Sequence, residues 1–526
     1  MRIGNEKVIL AVDLGTSGMK LALVTVGGKI LAWESEPLEV LLGPDGMAEQ
    51  DPEYWWAAFL VAGRRLLARS PVAVSSICSV CCSTQGEGTV PVDKEGKALM
   101  NCILWMDMRG AAALKRRFGG PIHINGASLG RVLRWIRLTG GMPSMTGKDP
   151  AGHMLYIKES RPDVYEKTWR FLNVLDYLNL RLSGRFVATV DSILTSWVTD
   201  NRSVGAIKYH PALVRDSGID ADKLPEIVSC TEVLGPIVPE LVRKLGLSPQ
   251  TVVVAGAIDT SAAAIGSGAV ADYAAHLYLG TSSWLAAHVP AKKTDIASAL
   301  ASVPCARPDR YLLTALQATA GGNLTYMRDN ILYHKDELLQ EAAVPDIFKV
   351  LDIIAARVPP GSNGVLYTPW IWGERAPVED RQLRAGLYNL SLRNTRQDIV
   401  RAFLEGIALN TRWLMKPFLH FTGRPAGAVH LVGGGAQSDV WCQIFADVLQ
   451  TPIRQLADPV YANARGAAWI AAVGLGELHF DALPELVDIR RDYVPQPAAV
   501  QVYNEKFAAF TSIYRRMRGL YHQLNA

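Results

Sequence analysis

The tetrapeptide Leu-Gly-Thr-Ser occurs twice in this chain, each time between two apolar runs: VILAVDLGTSGMKLALV over 8–24 and AAHLYLGTSSWLAAHV over 274–289. Short apolar runs interrupted by a Gly/Ser cluster predict a strand, a tight turn and a second strand. A glycine in such a turn lets a ligand approach bare backbone. The hydroxyls and N–H groups that follow, here those of Thr16 and Ser17, can face an anion. One copy lies near the N-terminus and the other just past the middle. That spacing predicts two related lobes, each presenting a phosphate-binding hairpin to a shared cleft. The alternative is two unrelated hairpins with common turn residues.

The copies differ in their charges. Asp13 stands one residue before the first Leu-Gly-Thr-Ser, where the second has Tyr278, and Lys20 opens the exit strand of the first. An acid and a base bracketing a phosphate turn suit a Mg²⁺–nucleotide: the carboxylate holds the metal, directly or through water, and the ammonium meets phosphate oxygen. The chain has no G-x-x-x-x-G-K-[ST]; Gly147-Lys148 lacks the upstream glycine and is followed by Asp149, so no P-loop is expected.

At 526 residues the chain is long enough for two major domains, and its 49% hydrophobic and 20% charged content is that of an ordinary globular enzyme. A formal net charge of +4 without a Lys/Arg block gives no reason to expect nucleic acid. Neither a signal-peptide core nor a long apolar run is present, so no membrane partner and a cytoplasmic location are expected. Cys78, Cys81 and Cys82 form C-x-x-C-C inside VAVSSICSVCCS. No second Cys or His pair offers metal-ligand spacing, and a buried strand explains them better than a redox or metal motif.

Pattern predicts strands at 8–14, 20–26 and 30–38, a helix over 51–70 capped by Asp51, and strands at 72–83 and 88–92. A helical stretch runs from about 150 to 182. Residues 249–269 read as a buried strand, a turn at Gly256–Asp259 and a small-residue helix, with a domain boundary beside it. This gives lobes over 1–254 and 255–526. Further helices are expected at 321–333, 336–357, 394–417, 438–450, 462–475 and 501–524. Mixed strands and helices in each half predict α/β lobes.

Three places carry candidate chemistry. Asp259 follows the apolar run VVVAGAI and opens a helix. A carboxylate there can accept the proton of an attacking hydroxyl, or it can simply cap the helix. The triple glycine Gly433–Gly435, between the strand VHLV and the next helix, leaves room for a flat ring or a ribose; tight helix–strand packing uses the same residues. Gln85, Glu87, Asp107 and Arg109 flank a predicted hairpin whose turn is DKEG, and could grip several hydroxyls or form an exposed ion pair.

Together these segments resemble the FGGY family of carbohydrate kinases, within the actin/Hsp70/hexokinase superfamily, over almost the whole chain. DLGTSGMK is similar to the family's first phosphate motif, AGAIDTSAAAIGSG to the segment carrying its catalytic aspartate, and GLYNLSLRNTRQDIVRAFLEG to a family signature. GERAPVED looks especially like xylulose kinases. The resemblance implies two ribonuclease H-like domains around a central cleft, with ATP and Mg²⁺ as cofactors and Asp259 as the base. It further implies Gly280 and Thr281 as second phosphate contacts, and Gly321, Gly435 and Asp439 on the nucleotide side. The expected partner is a small sugar or polyol, with D-xylulose the best single candidate, and the resemblance allows a homodimer. The sugar end departs from the pattern. Gln85-Gly86-Glu87-Gly88 replaces Gln-Met-His-Gly, Met106 replaces an asparagine, and Pro150-Ala151-Gly152-His153 loses a lysine. Ribulose, glycerol and erythritol remain alternatives, as does a nucleotide-dependent sugar sensor without turnover.

Overall fold

The computed structural model describes residues 7–124, 126–332 and 346–525. Two large sheets organise the chain. The first contains β1 (Val8–Leu14), β2 (Gly18–Thr25), β3 (Ile30–Pro37), β4 (Ile77–Thr84), β5 (Val233–Pro236) and β6 (Val252–Ile258), in the spatial order β5-β6-β4-β1-β2-β3. The second contains β7 (Ala275–Leu279), β8 (Ser283–Val289), β9 (Thr294–Asp295), β10 (Leu300–Pro304), β11 (Tyr311–Gln317), β12 (Val429–Val432), β13 (Ile453–Leu456) and β14 (Ile489–Tyr493), in the order β9-β10-β11-β8-β7-β12-β13-β14.

The two sheets repeat one plan. In each, the first strand pairs antiparallel with its hairpin partner and parallel with a strand on its other side: β1 with β2 and β4, β7 with β8 and β12. Beyond those lie a second parallel strand and an antiparallel edge strand, β6 and β5 in one sheet, β13 and β14 in the other. β1 and β8 are buried along their whole length, as strands covered on both faces must be, and their near-continuous apolar sequence follows from that.

The helices used below are α1 (Pro52–Ala68), α2 (Pro150–Ser160), α3 (Val174–Ser183), α4 (Asp259–Gly266), α5 (Gly321–Met327), α6 (Arg396–Thr422), α7 (Asp439–Leu449), α8 (Ala462–Gly474) and α9 (Pro497–Leu524). α8 comes from the C-terminal half, yet its alanines and Trp469 share a core with Ile9, Ala11 and Val254 of the first sheet. α4 follows β6, yet Ala263 and Ala264 pack with Trp284 and Leu312 of the second sheet. The two helices cross where neither carries a side chain. A Cβ on Gly466 would lie 1.9 Å from the Ala262 carbonyl oxygen, and one on Gly266 would lie 1.8 Å from that of Ala462. Each lobe therefore lends a helix to the other.

Several boundaries differ from the pattern. Instead of a turn at Gly256–Asp259, β6 runs to Ile258 and α4 starts directly at Asp259. Gly256 is a bulge with φ +75°, whose absent Cβ would lie 2.1 Å from the Cys82 carbonyl oxygen. The expected helical stretch 150–182 is broken by a short strand at Arg170–Leu172 between α2 and α3. α6 passes through Pro417 to Thr422, beyond its expected end, and stops at Gly423 in the left-handed conformation. Of the helix expected over 336–357, residues 336–345 lie outside the described residues, and the remainder forms Ile347–Ala356. The strand holding Cys78, Cys81 and Cys82 is β4, and burial raises the thiol pKa of all three. All seven cysteines are free thiols, and no cluster of His, Cys, Asp or Glu among the described residues could hold a metal ion by itself.

Candidate active site

Asp13 ends in a cross-strand pair with Lys20, whose Nζ is 3.6 Å from Oδ2. Its Oδ1 accepts a hydrogen bond of 3.2 Å from Asn463 Nδ2, an amide brought from the other half of the chain by α8. The Oδ1 of Asn463 is buried without a partner among the described residues. The turn after Asp13 is closed by Gly15 N–H to Gly18 O at 2.9 Å, and Ser17 is exposed on it. The Thr16 hydroxyl donates to Gln85 Oε1 at 2.7 Å and accepts from Trp105 Nε1 at 3.0 Å. Gln50 completes this support, donating to the Thr16 carbonyl at 2.7 Å and accepting from Gln85 Nε2 at 3.1 Å. Thr16 and Gln85, expected on the nucleotide and sugar sides respectively, are thus two members of one network under the first turn.

Asp259 stands at the junction of β6 and α4. Its Oδ1 accepts from the N–H of Thr260 at 2.7 Å, so it does bond within the first turn of its helix while its carboxyl remains enclosed among other acids. Burial pushes its pKa up to about 7, and the charge of Asp13 adds to the rise, with Glu87 and Asp191 contributing after the opposing Thr260 hydrogen bond. Asp191 escaped the sequence reading because no motif marks it. It is fully buried and accepts from Ile258 N–H at 3.0 Å and from the Thr189 hydroxyl at 2.6 Å, which clamps the strand end one residue before Asp259. Several carboxylates close to one lysine and one amide, with an orphaned amide oxygen beside them, form a donor set that fits a hard divalent cation completed by phosphate oxygens.

The expected sugar-side residues separate into groups. Asp107 is fully buried and takes Ala48 N–H at 2.9 Å together with both the backbone and guanidinium of Arg109. Arg109 also reaches Glu49 Oε1 at 2.6 Å and lies 4.8 Å from the Tyr156 ring centroid. Burial works against the charge of Arg109, but Asp107 and Glu49 prevail and raise its pKa. Glu49 had no marker in the sequence. Glu87 stands apart with φ +60°; burial raises its pKa while the charges of Arg375 and Lys148 oppose the rise. His153, in place of the family's lysine, is buried and neutral: burial lowers its pKa to about 4, and its Nδ1 meets the Thr89 hydroxyl at 3.1 Å.

On the other side, the second turn is gripped by α5. Gly321 and Gly322 donate to the carbonyls of Gly280 and Thr281 at 2.8 and 3.0 Å, and a Cβ on Gly321 would lie 2.6 Å from the Gly280 oxygen. The three glycines after β12 do different things. Gly433 has φ +92° and presses on Leu279, Gly435 packs against Trp441 and Leu279, and Gly434 faces open space. Asp439 opens α7 and receives Gln455 Nε2 at 3.1 Å, with Arg490 at 3.5 Å.

Two equivalent hairpins, one in each large sheet, and between them the partly buried carboxyl of Asp259 with its raised pKa make the layout of a two-lobed carbohydrate kinase. The family model described as the FGGY family of carbohydrate kinases, N-terminal domain, matches residues 8–266, and the corresponding C-terminal domain matches 275–475. The chain belongs to the FGGY family of carbohydrate kinases. A xylulose kinase of Bacillus subtilis is 28% identical, covering 98% of each chain. A gluconokinase of the same organism is 24% identical over 98% of this chain and 97% of its own. The solved structure of a ligand-bound xylulose kinase from Lactobacillus acidophilus shares the fold, with a TM-score of 0.84 and 23% identity over 98% of this chain and 100% of that one.

Proposed function

We propose that this carbohydrate kinase moves the γ-phosphoryl group of ATP onto a hydroxyl of a short polyhydroxylated acceptor, with Asp259 as the base. The observation that carries this reading is the placement of Asp259 at the β6–α4 junction, enclosed with Asp13 and raised to about 7. A carboxylate poised near neutrality takes a hydroxyl proton effectively. The acceptor oxygen then bonds to phosphorus as the bond to the β-phosphate oxygen breaks, and ADP leaves. Asp13 and Lys20 orient the phosphates at the first turn, and the N–H groups of the second turn hold them from the other lobe. Mg²⁺, when bound beside Asp13, would neutralise phosphate charge.

D-Xylulose is the ketopentose to try first, because a xylulose kinase is among the relatives. The gluconokinase likeness and the substitutions at Glu87 and Met106 broaden the panel to sugar acids and polyols. The seven free thiols support a reducing, cytoplasmic setting; among the described residues no helix is long and apolar enough to cross a membrane. Coupled ADP release across ketopentoses, polyols, sugar acids and glycerol tests the reading. Acceptor-dependent release that vanishes in Asp259→Asn supports it. ATP-driven compaction without turnover on any acceptor would favour the sensor.

A further inference from the structure

The bulge at Gly256 interrupts the pairing of β6 with β4 just before Asp259. Side chains outside that ladder hold the strand end. Asn179 of α3 donates through Nδ2 to the Ala255 carbonyl at 2.7 Å, and Asp191 takes the Ile258 N–H at 3.0 Å. The start of α3 holds the acceptor side instead. Asn173, its N-cap, accepts the N–H of Gly88, the residue after Glu87, at 3.2 Å and that of Val174 at 2.8 Å. Asn173 Nδ2 donates to the Ser192 carbonyl and the Thr195 hydroxyl at 3.1 and 3.2 Å.

Hydrogen bonds join these two ends without a break. The Ser192 hydroxyl donates to both oxygens of Asp176 in α3, at 2.8 and 2.9 Å. The Thr189 N–H reaches the same carboxyl at 3.3 Å, and the Thr189 hydroxyl donates to Asp191 at 2.6 Å. Asp176, Thr189, Asp191 and Ser192 are all fully buried. Packing alone does not account for this chain. Among the described residues neither Asp176 nor Asp191 forms an ion pair with a cation, and burial raises the pKa of both, that of Asp176 to about 7. Carboxyls buried against neutral donors alone are costly, and apolar side chains would fill the same space at less cost. What the carboxyls add is direction: they fix the donors that meet them, so Gly88 and Ile258 are set against one frame. One residue from those anchors stand Glu87 and Asp259. No link of the chain belongs to either Leu-Gly-Thr-Ser turn.

We propose that Thr189, Asp191 and Asn173 are positioning residues: through α3 they hold Asp259 and the acceptor-side loop at Glu87 in one fixed relation, so that acceptor binding and phosphoryl transfer are set together and ATP binding is not. This rests on the kinase reading of the same cleft.

The test is steady-state kinetics of the full-length protein with ATP, Mg²⁺ and the fastest acceptor of the ADP-release panel. Thr189→Val removes the central hydroxyl at nearly constant volume, and Thr189→Ser keeps it. Thr189→Val should lower kcat and raise KM for the acceptor, a combined loss in kcat/KM of about 10–100-fold, the scale of a misplaced reacting group. KM for ATP should stay put, and Thr189→Ser should behave as wild type. Asp191→Asn and Asn173→Ala, at the two ends, should show the same paired loss. Asp447→Asn removes a buried carboxyl near the far end of α7 and controls for lost stability: it should lower Tm and leave these constants alone. Wild-type kcat and acceptor KM in Thr189→Val, a parallel rise in KM for ATP, or no rescue by Thr189→Ser overturns this inference and leaves the kinase reading intact. Should Asp191→Asn fail to fold, the Thr189 pair decides by itself. If wild type releases ADP with no acceptor, the kinase reading fails and this inference fails with it.

Discussion

The two Leu-Gly-Thr-Ser hairpins sit in equivalent places in equivalent sheets, but their cross-strand pairs have nothing in common. In the first, Asp13 faces Lys20; in the second, Tyr278 faces Trp284 with the rings stacked 3.9 Å apart and 3° from parallel. The turns also differ: Leu14 pairs with Met19, whereas Leu279 pairs with Ser283, so the second turn is one residue shorter and is bonded to α5. What the halves share is a way of presenting backbone donors at the end of a sheet. What they do not share is charge. The first turn carries an acid, the proposed metal holder beside the proposed base, and the second is an aromatic-backed cradle. On the proposed reading, a duplicated fold keeps phosphate binding in both copies while the charged groups stay with one.

Substitutions can break or sharpen this contrast. The largest effect is expected at Asp259, the proposed base: Asp259→Asn should lower kcat by about 10²–10⁴-fold with ATP affinity nearly unchanged, measured by steady-state kinetics beside nucleotide titration. If Asp259 merely caps α4, turnover will stay near normal. Next is Asp13→Ala, expected to lower activity on the order of 10–100-fold, the range for groups that tune a metal site, and to raise the Mg²⁺ concentration needed for half-maximal rate. An unchanged Mg²⁺ titration would remove the charge from the first hairpin's role.

Asp107→Ala strands Ala48 N–H and leaves Arg109 with Glu49 as its one carboxylate among the described residues. An unmade buried hydrogen bond costs about 1–3 kcal/mol, so KM for the acceptor should rise while KM for ATP stays put. A parallel rise in both would place this cluster outside acceptor binding. The smallest effect belongs to the second cradle: Gly321→Ala puts a methyl where the Gly280 oxygen lies at 2.6 Å. Overpacking of this kind costs about 1–3 kcal/mol. It should lower Tm and raise KM for ATP severalfold, leaving the acceptor KM alone.

Much of this contrast was legible in the chain because a repeated turn motif with apolar flanks leaves few alternatives, and Asp13 against Tyr278 is visible by alignment of the two copies by eye. Asp259 stood out as an acid at the end of a wholly apolar run, which suits a helix cap as well as a base; only the resemblance to the kinase family favoured the base. The supports were not. Asn463, Asp191, Glu49 and Gln50 reach the site through tertiary packing, and nothing in their neighbours marks them. The bulge at Gly256 looked like a turn because glycine serves both, and only the approach to the Cys82 carbonyl decides between them. The sugar-side residues formed one cluster on paper because they are close in sequence. In the fold, Asp107 and Arg109 close on Glu49, Gln85 closes on Thr16 and Gln50, and Glu87 stands apart, its pKa raised by burial against the charges of Arg375 and Lys148.

The central claim is that, on top of burial, the charge of the acidic hairpin, and not the aromatic one, raises the pKa of Asp259, the proposed base. A raised carboxyl pKa means that Asp259 is protonated below about pH 7 and becomes able to accept a proton as pH rises through that value. The direct measurement is the titration of Asp259 in the free protein by NMR of carboxyl-labelled aspartate, assigned by its loss in Asp259→Asn, in wild type, Asp13→Asn and Tyr278→Phe. The account predicts a midpoint near 7 in wild type, a clearly lower midpoint in Asp13→Asn, and no change in Tyr278→Phe. A wild-type midpoint in the ordinary range near 4, or equal shifts in the two variants, would contradict it.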